Sequence, residues 1–139
     1  MIEESYVSFE TAKLLKEAGF DVPCKGVYVT DRIGYYEFRE NDNKRTADDL
    51  WWNTRDGFQY EYLAPTQALA ARWFREVHRI VVDANFIPPS TDGNAWIYFI
   101  GEMDDMVWSG DYVPSDEFYE TYEEALEAGL QEAIKLIKK

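Results

Sequence analysis

The sequence predicts an α+β fold: an antiparallel sheet of about four to five strands with three helices, in the order α-β-β-α-β-β-(β)-α. Three observations carry that expectation. Each of three amphipathic stretches has its own helix-start signal, the strand candidates between them come in pairs, and turn-forming residues join the members of a pair.

The first helix is expected from Phe9 to Ala18. Ser8 can cap its free N–H groups, Thr11, Leu14, Leu15 and Ala18 share a face, Lys13, Lys16 and Glu17 face water, and Gly19 suits a left-handed stop. Strands follow at Gly26 to Thr30 and Gly34 to Arg39, and Asp31-Arg32-Ile33 is short enough to make them a hairpin. From about residue 40 to 62 the chain reads as a long loop, polar at first and then carrying Trp51, Trp52, Phe58, Tyr60 and Tyr62.

The second helix is expected from about Pro65, a residue suited to a first turn, to Arg79. Leu69, Ala70, Trp73, Phe74 and Val77 fall on one side of it, and Arg72, Arg75 and Arg79 on the other. Strands at Ile80 to Phe86 and Ala95 to Gly101 are joined by Pro88-Pro89-Ser90-Thr91-Asp92-Gly93-Asn94, with a further short strand within Met106 to Tyr112. The last helix opens with the capping box Thr121-x-x-Glu124, and Tyr122, Leu126, Leu130, Ala133, Ile134 and Ile137 form its apolar stripe. Gly129 interrupts that stripe at about 1 kcal/mol against alanine, which points to a close backbone contact.

A chain of 139 residues, 46% apolar, fits one self-folding domain spanning 1–139. Cys24 is the only cysteine, so no intrachain disulfide can form. No stretch approaches the about 18 apolar residues of a membrane span, and no basic region followed by an apolar run opens the chain. These features predict a cytoplasmic protein that does not enter the membrane.

Charge narrows the partners. Between Ile80 and Ile134 there is no Lys or Arg in 55 residues, yet 13 Asp and Glu, which accounts for most of the net charge of −13. Nucleic-acid binders carry a basic stripe that displaces counterions from phosphate, so direct DNA or RNA binding is not expected. A clustered acidic face attracts a basic protein within a screening length of about 8 Å. Its plain alternative is solubility.

Candidate sites each have a bland counterpart. Trp51 and Trp52 are adjacent, so one core pocket cannot take both, and with Tyr60 and Tyr62 they form a candidate contact loop for a partner, a ligand or a second copy of the chain. Otherwise one indole packs under the loop and the other lies on the surface. Arg72, Arg75 and Arg79 could take phosphate or an acidic peptide, or pair with carboxylates such as Glu76. Asp104 and Asp105, near Glu102 and Asp111, could bind a hard cation, but their spacing does not match a calcium loop and a solvated turn between two short strands fits better. His78, the only histidine, reads as structural. No Walker loop, G-x-G-x-x-G, G-x-S-x-G or H-E-x-x-H is present. The sequence therefore predicts no catalytic residues, no metal site and no cofactor.

The phrases Ser8-Phe9-Glu10-Thr11-Ala12-Lys13-Leu14-Leu15-Lys16-Glu17-Ala18-Gly19-Phe20, Tyr62-Leu63-Ala64-Pro65-Thr66-Gln67-Ala68-Leu69-Ala70 and Thr121-Tyr122-Glu123-Glu124-Ala125-Leu126-Glu127-Ala128-Gly129-Leu130 form a set. As a set they resemble short bacterial proteins without an assigned activity, some from prophage-like regions. The resemblance implies a phage or mobile-element setting and carries no catalytic residue.

The leading functional expectation is a non-enzymatic protein-binding or accessory factor, acting through the Trp51–Trp52 loop or the acidic surface from Glu102 to Glu127. An acidic mimic of nucleic acid that occupies another protein's binding site is the alternative. An enzyme with an unrecognised acidic site around Asp104 and Asp105 is the third reading.

Overall fold

The computed structural model describes residues 5–31, 35–46, 60–86, 95–104, 107–108, 113–114 and 118–137. It contains three helices and antiparallel sheets, an α+β arrangement in the expected order. The chain divides into two compact units, Met1–Thr66 and Gln67–Lys139, and the strands are shared between them as two sheets.

In the first unit, α1 (Phe9–Glu17) starts where Ser8 Oγ accepts from the Thr11 N–H at 3.2 Å. It stops at Gly19, whose φ of +93° lies in the left-handed region that a side chain disfavours. Its buried stripe is Thr11, Ala12 and Leu15. The sheet has the order β2-β1-β3, with β1 at Cys24–Thr30, β2 at Tyr36–Arg45 and β3 at Tyr60–Leu63. β2 runs six residues past the Arg39 at which apolar alternation ends. It does so because Glu40 and Arg45 still pair with Gly26 and Cys24 across a bulge, and Asn41 donates from its side chain to the Lys25 carbonyl at 3.2 Å. An exposed edge strand needs no alternation to be paired.

Gly26 sits in the middle of β1. A Cβ there would collide with the backbone carbonyl of Ala64 and come within 2.8 Å of the Tyr6 ring and 2.9 Å of the Phe38 ring. The Ala64 N–H in turn donates to the Gly26 carbonyl at 2.8 Å, and the Val7 N–H to the Pro65 carbonyl at 3.0 Å. These bonds hold residues 64 and 65 extended, so the helix expected from Pro65 begins two residues later.

In the second unit, α2 (Gln67–Val77) buries Gln67, Ala70, Trp73 and Phe74. It ends before Arg79, whose φ of 57° breaks the helical path and turns the chain into β4 (Ile80–Phe86). β4 pairs residue by residue with β5 (Trp96–Asp104), from Ile80 opposite Glu102 to Phe86 opposite Trp96. The other side of β5 takes β6 (Val107–Trp108), inside the stretch expected as a fifth strand, and β7 (Val113–Pro114), which lies just beyond it. Helix α3 (Tyr122–Ile137) is capped by Thr121 Oγ1, which accepts from the Glu124 N–H at 3.1 Å. It buries Ala125, Leu126, Leu130, Ala133 and Ile134, and Gly129 brings its backbone onto the β4–β5 hairpin. A Cβ on Gly129 would stand 2.9 Å from the Tyr98 Cβ and 3.0 Å from the Val82 Cγ1.

Two substitutions test this packing. Gly129→Ala gains about 1 kcal/mol of helix propensity but lifts α3 from the hairpin, at about 1–3 kcal/mol, and is expected to lower stability overall. Gly26→Ala meets backbone instead of side chain and is expected to cost more than Gly129→Ala. Urea unfolding of the two variants beside the parent chain checks the ranking.

Candidate functional site

Two aromatic surfaces stand out, one in each unit. In the first, directly opposed residues of an antiparallel sheet share a face. The pairs Thr30–Tyr36, Tyr28–Phe38, Gly26–Glu40 and Tyr28–Tyr62 therefore gather these side chains on one face. Phe9 of α1 stacks on Tyr36 with ring centroids 4.1 Å apart and meets Tyr28 and Tyr62 edge-on at 5.5 and 5.8 Å. Phe38 lies 4.7 Å from Tyr6 and 5.4 Å from Tyr28. Tyr6 donates its hydroxyl to the Glu40 carboxylate, and Tyr28 donates to the Val7 carbonyl at 2.7 Å. The lysines of α1 lie over this face as well: Lys13 Nζ stands 4.8 Å above the Phe9 ring and Lys16 Nζ 4.9 Å above Tyr62. Rings on the outermost strand stay in water, with Tyr36 48% and Phe38 39% exposed, and Tyr35 before them 66%.

In the second unit, the β4–β5 hairpin ends in Phe86 and Trp96, rings 5.3 Å apart. Trp96 meets Tyr122, the first residue of α3, edge-on at 5.6 Å, and exchanges backbone hydrogen bonds of 3.0 and 2.7 Å with Tyr119. Phe86 is 54% exposed and Phe118 47%. Glu120, Glu123 and Glu124 are exposed in the same segment, and no basic residue lies in the sequence from Ile80 to Ile134. The Tyr122 hydroxyl donates to Asp83 Oδ1 at 3.0 Å. Burial and that anionic partner push the Tyr122 phenol up to about 12.

Of the residues singled out in the sequence, Trp51, Trp52 and Asp105 lie outside the described residues. Tyr60 begins β3 and Asp104 ends β5; only their backbone is described. Tyr62 belongs to the aromatic face of the first unit. The guanidinium of Arg72 bonds Glu76 at 2.6 Å on the exposed side of α2, where Arg75 also lies, while Arg79 follows the helix. The arginines do not converge with other basic groups on an anion site within the second unit's described residues.

His78 packs edge-on to Trp73 at 4.7 Å, and its buried Nε2 has no hydrogen-bond partner among the described residues, which fits a packing role. Cys24 is 5% exposed in β1, its thiol facing the Gly26 carbonyl at 3.7 Å, and burial pushes it up to about 11. Among the described residues no three His, Cys, Asp or Glu side chains are placed to hold a metal ion, and no helix is long and apolar enough to cross a membrane. No family model, curated protein or solved structure matches the chain.

The residues that a linear reading passes over are Tyr35, Tyr36, Phe38, Phe86 and Phe118. Tyr36 and Phe38 alternate with Glu37 and Arg39, so the pattern looks like an ordinary strand with its apolar side inward. Only the pairing reveals that this side belongs to an edge strand.

Two outcomes follow. Native Cys24 is expected to resist alkylation at neutral pH and to react only on unfolding or at strongly alkaline pH, measured by mass spectrometry of the alkylated chain. Both Cys24 and Tyr122 bind their protons more tightly folded than unfolded, from ordinary values of 9.0 and 10.0. Their contribution to stability is therefore complete below those values and is lost as the pH rises through about 11 and about 12. The urea midpoint should fall on alkalinisation, less steeply in Cys24→Ser and in Tyr122→Phe than in the parent chain.

Proposed function

We propose that this chain is a non-enzymatic protein-binding factor that takes a basic partner protein on the aromatic, acidic surface of its second unit. Its setting is cytoplasmic and of phage or mobile-element kind, following the resemblance of its helical phrases. The observation that carries this reading is the exposure of Phe86 and Phe118, at 54% and 47%, beside Trp96 and among glutamates without a neighbouring cation in the sequence. Exposed aromatics supply contact area and a face for cations, while carboxylates steer a basic protein toward them.

The nucleic-acid mimic gains less support. Such a decoy needs carboxylates in unbroken rows, whereas Glu127 Oε1 accepts from the Gln67 side chain at 2.9 Å and Glu132 pairs with Lys135 at 2.9 Å. Part of the acidity of α3 is thus engaged within its own unit.

The test is affinity capture from a lysate of the native host at low and high ionic strength, with the parent chain and a Phe86→Ser/Phe118→Ser variant in parallel. A basic protein retained at low salt, released at high salt and bound at least about tenfold more weakly by the variant is the expected result. Retention that ignores both salt and the two substitutions would sink the reading.

A further inference from the structure

The outer edge of β2 has no strand against it among the described residues, although β2 carries two exposed aromatic rings and, in its first half, charges that alternate from Glu37 to Arg39 to Glu40. We infer that this edge pairs with the β2 of a second copy of the chain, antiparallel, about a two-fold axis at Phe38. The surface lies in the other unit from the acidic one, so neither proposal depends on the other.

The register follows from sheet geometry and charge. Opposed side chains in a regular antiparallel pair share a face, and sides alternate along each strand, so two copies of one strand can meet only about an axis through a residue and its own copy. With that axis at Phe38, the two Phe38 rings face each other on the aromatic side. Tyr36 then stands opposite Glu40 of the other copy, a phenol opposite a carboxylate. On the reverse side Glu37 stands opposite the other Arg39, and Arg39 opposite the other Glu37. Within one chain Arg39 and Glu37 already bond each other, with side chains 56% and 44% exposed. Two such pairs brought together form a ring of four alternating charges. Moving the axis one residue either way sets Glu37 against its own copy or Arg39 against its own copy, and like charges directly opposed destabilise a sheet. Among these neighbouring registers, the Phe38 axis alone opposes no like charges, and it also withdraws Phe38 from water and gives the edge backbone groups partners.

The partner is thus another molecule of this protein, joined into a continuous six-stranded sheet with the order β3-β1-β2 mirrored across the axis. The bulge near Glu40 and Arg45 limits the regular pairing to the first half of β2, where all of these contacts lie.

Sedimentation velocity over a range of concentrations, with the chain intact, tests the inference. The parent is expected to shift toward twice the chain mass as concentration rises. Arg39→Glu alone, which places carboxylates opposite each other, should weaken dimerisation at least tenfold. The double exchange Glu37→Arg/Arg39→Glu restores alternation and should restore the dimer, while circular dichroism confirms folding of each variant. In parallel, Phe38→Cys should give a disulfide-linked dimer on a non-reducing gel and Asp42→Cys should not. A parent that stays monomeric at every concentration overturns the inference, with the charges of β2 then serving to keep the edge single. A dimer indifferent to Arg39→Glu, or one that the double exchange fails to restore, overturns it too.

Discussion

Helix α3 can lie on the β4–β5 hairpin only because Gly129 brings its backbone against Val82 and Tyr98. That approach lets Leu126, Leu130, Ala133 and Ile134 bury beside it, and these residues make up much of the second unit's core. The first unit repeats the device in a strand. Gly26 admits the Ala64 carbonyl and the rings of Tyr6 and Phe38, and the hydrogen bond from Ala64 back to Gly26 holds the stretch that leads toward α2. In each case the missing methyl sets a distance that neighbouring side chains then fill. Close-packed interiors do not absorb even one added carbon freely.

The same packing explains why aromatic rings remain at the surface. α1 covers part of its sheet's face through Phe9, which reaches Tyr28, Tyr36 and Tyr62, but leaves Tyr36 and Phe38 of the outer strand partly in water. α3 starts level with the end of the hairpin, so Tyr122 reaches Trp96 while Phe86 beyond it stays open. Both surfaces are thus places where a sheet outruns its helix. An aromatic ring left in water forgoes on the order of 2 kcal/mol of burial, so several of them together mark contact surfaces more strongly than scattered ones do.

Charge divides the two surfaces by the kind of partner they suit. On β2 the signs alternate, Glu37 then Arg39, and a strand of alternating sign complements its own reverse. Around α3 the first turn carries Glu123 and Glu124 and cations return only at Lys135, so the charge there is of one sign and does not complement its own copy. Glu123 and Glu124 also meet the positive end of the helix dipole, so their placement serves the helix itself.

The class, the helix order and most helix ends were legible in the sequence because they rest on local chemistry. Ser8 and Thr121 cap as their types imply, Gly19 takes the left-handed turn, and the expected Ile80–Phe86 strand is met at both ends. Gly129 within an apolar stripe announced a close contact without naming what it touches. Where the expectations differ from the structure, a distant partner intervenes. Pro65 is kept out of α2 by Val7, and the polar run after Arg39 is strand because Gly26 and Cys24 pair with it. The exposed faces of Tyr36, Phe38 and Phe86 were invisible in one dimension for the same reason. Periodicity tells which side chains share a face, but whether that face is covered depends on which strand is outermost and where a helix ends. The sequence determined the elements, their caps and the sign of the charge; the tertiary structure decided which aromatic side chains stay in water, because exposure is a property of neighbours brought together across the chain.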